Sequence, residues 1–257
     1  MNKLLLGAII IIIILGMSPT KAMAQIGEHR NDLAIGFGGG YTLSNVGFTP
    51  EIPQKMLGGC TFGLAIRYTC EKYFKSVCSI MAELNITQMG WKEDILTSED
   101  YPVINEYTGL AEKLSRKITY VQLPLMARMN WGRERKGAAG FFQVGPQAGY
   151  YLSDKITSNF DLDQRNISER VGALQEAPND SMSIENKFDY GIVGGAGLEI
   201  STKKAGHFIL EARYYYGLGD IFNNSKSDYF GRSNNNSIII RFTWLFDIIR
   251  TKDNNIK

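Results

Sequence analysis

Along eight segments of this chain, apolar and polar residues alternate with a period of two, the pattern of β-strands that bury one face. In the last of them every second side chain is apolar or aromatic, while Arg241 and Thr243 lie on the opposite face. The segments are residues 33–41, 62–69, 79–86, 120–131, 141–152, 190–200, 208–216 and 238–246. Each has about the ten residues that a tilted strand needs to cross a bilayer. The chain is therefore predicted to be all-β.

The connections between these segments alternate between long and short. The long ones are residues 42–61, 92–117, 153–187 and 217–237, and the short ones are residues 70–79, 132–140 and 201–207. Outer-membrane barrels with both termini in the periplasm have long external loops and short periplasmic turns. The sequence therefore predicts an eight-stranded antiparallel up-and-down transmembrane β-barrel with four long external loops and three short periplasmic turns.

The first 24 residues have the features of a secretory signal peptide. Asn2 and Lys3 precede an apolar run over residues 4–15, and Ala22-Met23-Ala24 has the small-x-small pattern of a cleavage site. The run is too short to cross a bilayer of roughly 30 Å as a helix. We expect cleavage after Ala24, which leaves one barrel domain over residues 25–257 with a short polar tail at residues 247–257.

The polar face of the strands contains Arg and Glu but no Lys. Arg suits desolvated, bidentate pairing with a carboxylate better than Lys does, whereas a solvated outer face usually carries many Lys. We therefore expect the apolar face to meet lipid and the charged face to line the lumen. The predicted structural network consists of Arg67, Glu83, Arg128, Glu199, Glu211, Arg213 and Arg241.

Aromatic residues near the strand ends predict the two interfacial girdles of a membrane barrel. Trp131, Trp244 and Phe246 are expected near the periplasmic rim. Tyr41 and Trp91 are expected near the outer rim. In this orientation outer-membrane lipid surrounds the strands.

Several short motifs resemble those of the PorT-type outer-membrane β-barrel proteins of Bacteroidetes. Tyr120-Val121-Gln122-Leu123-Pro124-Leu125 is similar to the Tyr-x-x-x-Pro-Leu strand of that family. Arg67-Tyr68, Glu83-Leu84-Asn85 and the glycine-rich residues 191–199 resemble further signatures, so the likeness extends over nearly the whole mature chain. The resemblance implies an eight-stranded barrel. One member of the family is tied to protein secretion and gliding, and most have no assigned activity.

Sequence patterns for catalysis and metal binding are missing. Outer-membrane hydrolases generally need a His beside a Ser or Asp at the outer rim, but His29 and His207 both fall at periplasmic strand ends. Neither has a partner at metal-ligand spacing. The net charge of +2 gives no basic footprint for nucleic acid. We therefore expect no enzyme and no cofactor.

Three cysteines enter an oxidising compartment in this interpretation. Cys70 and Cys78 flank the first short turn, so they form a candidate disulfide if the strand register brings their Cα atoms together. Cys60 then remains unpaired.

These features favour a non-enzymatic barrel that binds or interacts through its external loops, within an envelope or secretion assembly. The expected partners are outer-membrane lipid, the barrel-insertion machinery and an envelope or extracellular protein. Two alternatives remain open. An unfilled lumen would make the chain a channel for small solutes or apolar molecules, and an inward apolar face would make it a soluble periplasmic lipocalin-like carrier.

Overall fold

The computed structural model describes residues 28–133, 136–170, 182–222 and 229–251. The strands are β1 (Glu28–Thr49), β2 (Gln54–Lys55), β3 (Leu57–Tyr73), β4 (Ser76–Glu93), β5 (Leu114–Gly132), β6 (Gly137–Ser158), β7 (Phe188–Thr202), β8 (Gly206–Asp220) and β9 (Arg232–Ile249), and a 3-10 turn spans Leu162–Gln164. No helix in these ranges is long and apolar enough to cross a membrane. The predicted signal peptide lies outside the described residues.

Eight long strands close into a ring. Each strand from β3 to β8 pairs antiparallel with its neighbours, and β1 pairs with both β3 and β9. The two-residue strand β2 adds to the outer end of β4, with Gln54 opposite Glu93. Because β1 and β9 close the ring, every long strand has two partners and no long edge is left unpaired. The predicted eight-stranded up-and-down barrel is confirmed.

The strands are longer than the sequence pattern predicted, mainly at the outer end. The connection predicted over residues 42–61 shrinks to residues 50–56, because β1 continues to Thr49 and β3 begins at Leu57. The other outer connections are residues 94–113, 159–187 and 221–231, and the inner turns are residues 74–75, 133–136 and 203–205. Strand β9 also continues to Ile249, two residues past the predicted start of the tail. The alternation of long and short connections is nevertheless retained.

The outward face of the barrel changes character along the strands. On β5 the outward side chains from Val121 to Trp131 are apolar, but those of Ser115, Lys117 and Thr119 above them are polar. The lower part, at the short turns, therefore has the apolar band of a membrane barrel. The upper part has the polar exterior of a barrel that stands in water.

The inside of this upper part is filled with aromatic side chains. Phe48 packs on Trp91 and Phe230 at ring-centroid distances of 5.3 and 4.8 Å, and Phe222 lies 5.8 Å from Phe230. All four are buried. We call these four residues the aromatic plug.

The placement predicted for Trp91 is wrong. Trp91 is fully buried in the plug and does not face lipid near the outer rim. The two-residue period of β4 continues unbroken from lipid-facing Ile86 to Glu93, so an odd-numbered residue such as Trp91 must point inward.

Candidate functional site in the lumen and external loops

The middle of the lumen is occupied by two carboxylates and two arginines. Arg213 donates to Glu83 through Nη1 and Nη2, at 2.8 and 2.5 Å, and Nη2 also donates to Glu211. Arg241 lies 3.8 Å from Glu83 and 4.0 Å from Glu211. The two positive and two negative charges balance within this layer, which we call the central layer.

Room for the second arginine of the central layer depends on a small residue across the strand pair. Gly38 of β1 lies beside β9, and a Cβ atom at this position would be 2.5 Å from Oγ1 of Thr243, 2.8 Å from the Phe242 carbonyl oxygen and 2.9 Å from Nη2 of Arg241. Any larger side chain at this position would therefore have to displace β9, together with the Thr243 hydroxyl and the Arg241 guanidinium.

A second charged layer lies nearer the periplasm and centres on Glu199. Its carboxylate accepts hydrogen bonds from Arg67 at 2.7 Å, Arg128 at 2.5 Å and Asn130 at 2.8 Å. The guanidinium of Arg128 also lies 3.5 Å from the centre of the Phe141 ring. All seven charged residues predicted for the lumen are thus buried on the inner face, and they divide into two layers.

His207 makes contacts that the sequence pattern did not predict. Nδ1 of this ring lies 2.8 Å from the Ser201 hydroxyl and 2.7 Å from Glu199, and Nε2 lies 3.0 Å from Asp247. Asp247 was assigned to the tail, but the extension of β9 brings it into the barrel mouth. Ser, His and Asp therefore meet here although they are separated in sequence.

This Ser-His-Asp group lacks the donor pattern of a hydrolytic triad. A carboxylate lies against each ring nitrogen of His207, Glu199 beside Nδ1 and Asp247 beside Nε2. The nitrogen that faces Ser201 therefore also contacts a carboxylate, whereas in a hydrolytic triad that nitrogen is free to accept the serine proton. The Ser201 hydroxyl instead donates to Glu199 at 3.3 Å. The group lines a cavity of about 50 Å³ at the periplasmic mouth.

Polar residues also fill the lumen between the central layer and the aromatic plug. The Tyr215 hydroxyl donates to Asp189 at 2.8 Å, and Asn235 donates to the Tyr120 hydroxyl at 3.3 Å. Above them, Arg116 pairs with Asp154 at 2.7 Å and lies over the Trp91 ring at 5.8 Å. The described residues therefore occupy the lumen from its periplasmic mouth to its outer end.

Two external segments fold together above the barrel. Residues 94–113 form isolated bridges at Leu96–Pro102 and Ile104–Ala111. A small apolar core joins this segment to residues 159–170, and it consists of Ile95, Val103, Leu114 and Phe160. We call residues 94–113 and 159–170 the external platform.

A buried carboxylate holds the two segments of the platform together. Glu112 accepts from Arg170 at 2.7 Å, from the Asn105 side chain at 2.9 Å and from the Asn166 backbone N–H at 2.8 Å. Burial raises the pKa of the Glu112 carboxyl, but these hydrogen bonds outweigh it and bring the pKa below its ordinary value.

The outer surface of the platform combines exposed apolar and acidic side chains. Tyr107, Tyr101 and Leu110 are 72%, 66% and 60% exposed. Glu99, Asp100 and Glu106 are exposed beside them. Large exposed aromatic side chains on an ordered loop are a typical feature of protein-binding surfaces.

Comparison with known proteins identifies the family. Residues 23–223 match the profile of the family described as "Outer membrane protein beta-barrel domain". The chain belongs to this family. It is an outer-membrane β-barrel protein, and this localisation excludes the soluble lipocalin-like alternative.

Solved structures similar to this outer-membrane β-barrel include three bacterial membrane proteins. Ail, the attachment invasion locus protein of Yersinia pestis, is 14% identical, with 85% of this chain and 99% of Ail covered and a TM-score of 0.36. OprG from Pseudomonas aeruginosa is 13% identical, with coverage of 86% and 98% and a TM-score of 0.39. The outer membrane enzyme PagL is 10% identical, with coverage of 80% and 98% and a TM-score of 0.38. No curated protein matches the chain.

The remaining predicted girdle residues lie on the outer surface of the barrel. Tyr41, Trp131 and Phe246 are 55%, 43% and 38% exposed. Trp244 is half-buried, because it stacks on Phe208 at 5.5 Å and its Nε1 donates to the Ala205 carbonyl.

The candidate disulfide between Cys70 and Cys78 is not formed in the structure, where both thiols are free. A bulge in β3 puts Glu71, and not Cys70, opposite Cys78. Cys60 is also free, and its thiol donates to the Gln88 side chain at 3.4 Å. Within the described ranges no three His, Cys, Asp or Glu side chains are grouped to hold a metal ion.

Proposed function

We propose that this outer-membrane barrel is a non-enzymatic binding protein that engages an extracellular or envelope protein through its external platform. The observation that carries the proposal is the exposure of Tyr101, Tyr107 and Leu110 on loops that are held together by the Glu112 hydrogen bonds and a small apolar core. A preorganised surface loses less conformational entropy on binding than a flexible loop does.

The charge of the platform supports a polypeptide partner over a polyanion. Glu99, Asp100 and Glu106 are exposed around the aromatic side chains, and Asp161, Asp163 and Glu169 are exposed on the second segment. Surfaces of one charge attract partners of the opposite charge and repel like-charged ones. We therefore propose a partner whose contact surface is basic.

Four further inferences concern the family, export, assembly and partner of the chain. We infer that the chain is a PorT-type protein of Bacteroidetes, that its signal peptide is cleaved after Ala24, that the insertion machinery assembles it, and that its partner belongs to an envelope or secretion assembly. Support for these points comes from the motifs and the N-terminal pattern.

A structural role for the lumen network also belongs to the proposal. The balanced central layer and the donors around Glu199 support packing of the barrel over solute conduction or acid-base catalysis. Purified barrel in a planar bilayer is accordingly expected to give no conductance steps.

Site-specific photo-crosslinking in the native cells tests the binding role. A photoreactive amino acid at position 107 or 110 should give one protein adduct, identified by mass spectrometry, and the same probe at lipid-facing Tyr190 should not. A crosslinker placed on the identified partner should form an adduct with the platform, and Tyr107→Ala should reduce the yield of that adduct. If positions 101, 107 and 110 give no adduct beyond that of Tyr190, the platform is not a binding surface.

A further inference from the structure

The periplasmic rim of the barrel has a recess that the lumen network and the platform do not use. It lies beside the turn between β7 and β8 and the end of β9, and has a volume of about 340 Å³. Its lining residues are Lys203, Lys204, Gly206, Phe246, Asp247, Ile248 and Arg250.

The recess is positively charged. Lys203 and Lys204 are exposed, and neither has an ion-pair partner among the described residues. Arg250 pairs with Asp247, whose carboxylate also contacts His207, so the single acid of the recess is already neutralised. The two lysines are therefore available to bind an anion.

The turn that bears the lysines is held in place. The Thr202 hydroxyl donates to the Gly206 carbonyl at 2.9 Å and accepts from the Ala205 N–H at 3.1 Å. Gly206 has φ of +81°, a conformation that favours glycine. The Trp244 indole N–H also donates to the Ala205 carbonyl at 2.7 Å. The lysines thus project from a fixed turn rather than from a free loop.

The opposite wall of the recess is apolar and continuous with the lipid-facing surface. Ile248 is 62% exposed and Phe246 is 38% exposed, and Phe246 contacts the Trp244 ring at 4.6 Å. Cations beside an apolar wall at the level of the membrane interface match the two parts of an anionic lipid, a charged head group and acyl chains.

We propose that this recess binds one anionic phospholipid of the periplasmic leaflet, with its phosphodiester on Lys203 and Lys204 and its acyl chains against Phe246 and Ile248. Cationic side chains bind phosphate oxygens by charge-assisted hydrogen bonds. The site lies at the opposite end of the barrel from the external platform, so it does not depend on the binding role proposed there.

Native mass spectrometry of the full barrel in a neutral detergent, titrated with phosphatidylglycerol or phosphatidylethanolamine, tests this proposal. One phosphatidylglycerol should bind at lower concentration than phosphatidylethanolamine. The double variant Lys203→Gln/Lys204→Gln should weaken that binding by about thirtyfold, because two basic side chains would no longer attract the anionic head group. Both lysines are exposed on a turn, and the faster migration of the unheated barrel checks that the variant folds.

The control variant Lys75→Gln/Lys136→Gln removes two exposed lysines from the other periplasmic turns and should change the affinity less than about twofold. Equal losses in both variants would reassign the effect to the general charge of the rim and overturn the site. Displacement of the lipid by millimolar inorganic phosphate, or stronger binding of lipid A, would overturn the assignment to a phospholipid. Ile248→Ser should weaken lipid binding, since it removes part of the apolar wall.

Discussion

Replacing Arg213 by Met should destabilise the barrel more than any substitution of an exposed charge. The guanidinium donates three charge-assisted hydrogen bonds, two to Glu83 and one to Glu211. At about 1.5 kcal/mol for each hydrogen bond to a charged group, the loss is about 4.5 kcal/mol. This agrees with the roughly 3 to 5 kcal/mol typical of removing one partner from a buried ion pair.

The remaining residues of the central layer explain why this loss is not recovered locally. Without Arg213, two buried carboxylates face one guanidinium, and Arg241 comes no closer than 3.8 Å to either. Replacing Glu211 by Gln as well restores one negative to one positive charge. The double variant Glu211→Gln/Arg213→Met should therefore lose only about 1 to 2 kcal/mol, because neutral replacements of buried pairs are far better tolerated.

Urea titration of the refolded barrel measures these free energies of unfolding. The folded fraction at each urea concentration is read from a gel of unheated samples, on which the folded barrel migrates faster than the unfolded chain. Lys55→Met is the matched control, because its pair with Asp94 is largely exposed and should contribute at most about 1 kcal/mol. The reasoning fails if Arg213→Met is no worse than Lys55→Met. It also fails if the double variant is as unstable as the single one.

Three further predictions concern the outer half of the barrel. The lowered pKa of Glu112 means that its contacts stabilise the platform above the ordinary carboxyl pKa and weaken as pH falls through the lowered value. The hydrogen-exchange protection factors of residues 103–112, taken relative to the intrinsic exchange rate at each pH, should therefore fall in acid, and they should also fall in Glu112→Gln at neutral pH. Trp91→Ala should cost about 3 to 5 kcal/mol in the same urea titration, since it leaves a large cavity in the plug; a loss below about 1 kcal/mol would contradict its burial. Protease added to intact cells should cut within residues 159–187 and leave the turn at residues 203–205 intact, and the reverse pattern would invert the topology.

The membrane part of the fold could be predicted from sequence because its pattern is unusually regular. Side chains alternate strictly between lipid and lumen, so one clear position such as Ile86 assigns every neighbour on its strand. The same rule placed all seven charged residues on one face. Their separation into two layers could not be predicted, because it depends on the register between strands that are far apart in the sequence.

The outer half of the barrel was harder to predict because apolar side chains face inward there and polar side chains face outward, the reverse of the membrane part. Apolar Phe48 and Trp91 point inward and polar Lys117 points outward, so a search for apolar residues facing lipid ends the strands too early. The alternation itself never stopped, and extending it from Ile86 would have placed Trp91 inside. No comparable sequence pattern predicted the contacts of Ser201, His207 and Asp247. They form only because the last strand continues three residues past its predicted end.

The length of the strands also decides how far the platform stands from the lipid. About seven residues of β5 lie above its apolar band, and at roughly 3.3 Å per residue and a tilt near 40° they rise by about 18 Å. Since the head-group layer on one side is only about 5 to 8 Å thick, Tyr101 and Tyr107 are carried beyond it on a rigid stalk of paired strands. A bulky partner can approach them from the side, without having to desolvate the membrane surface first.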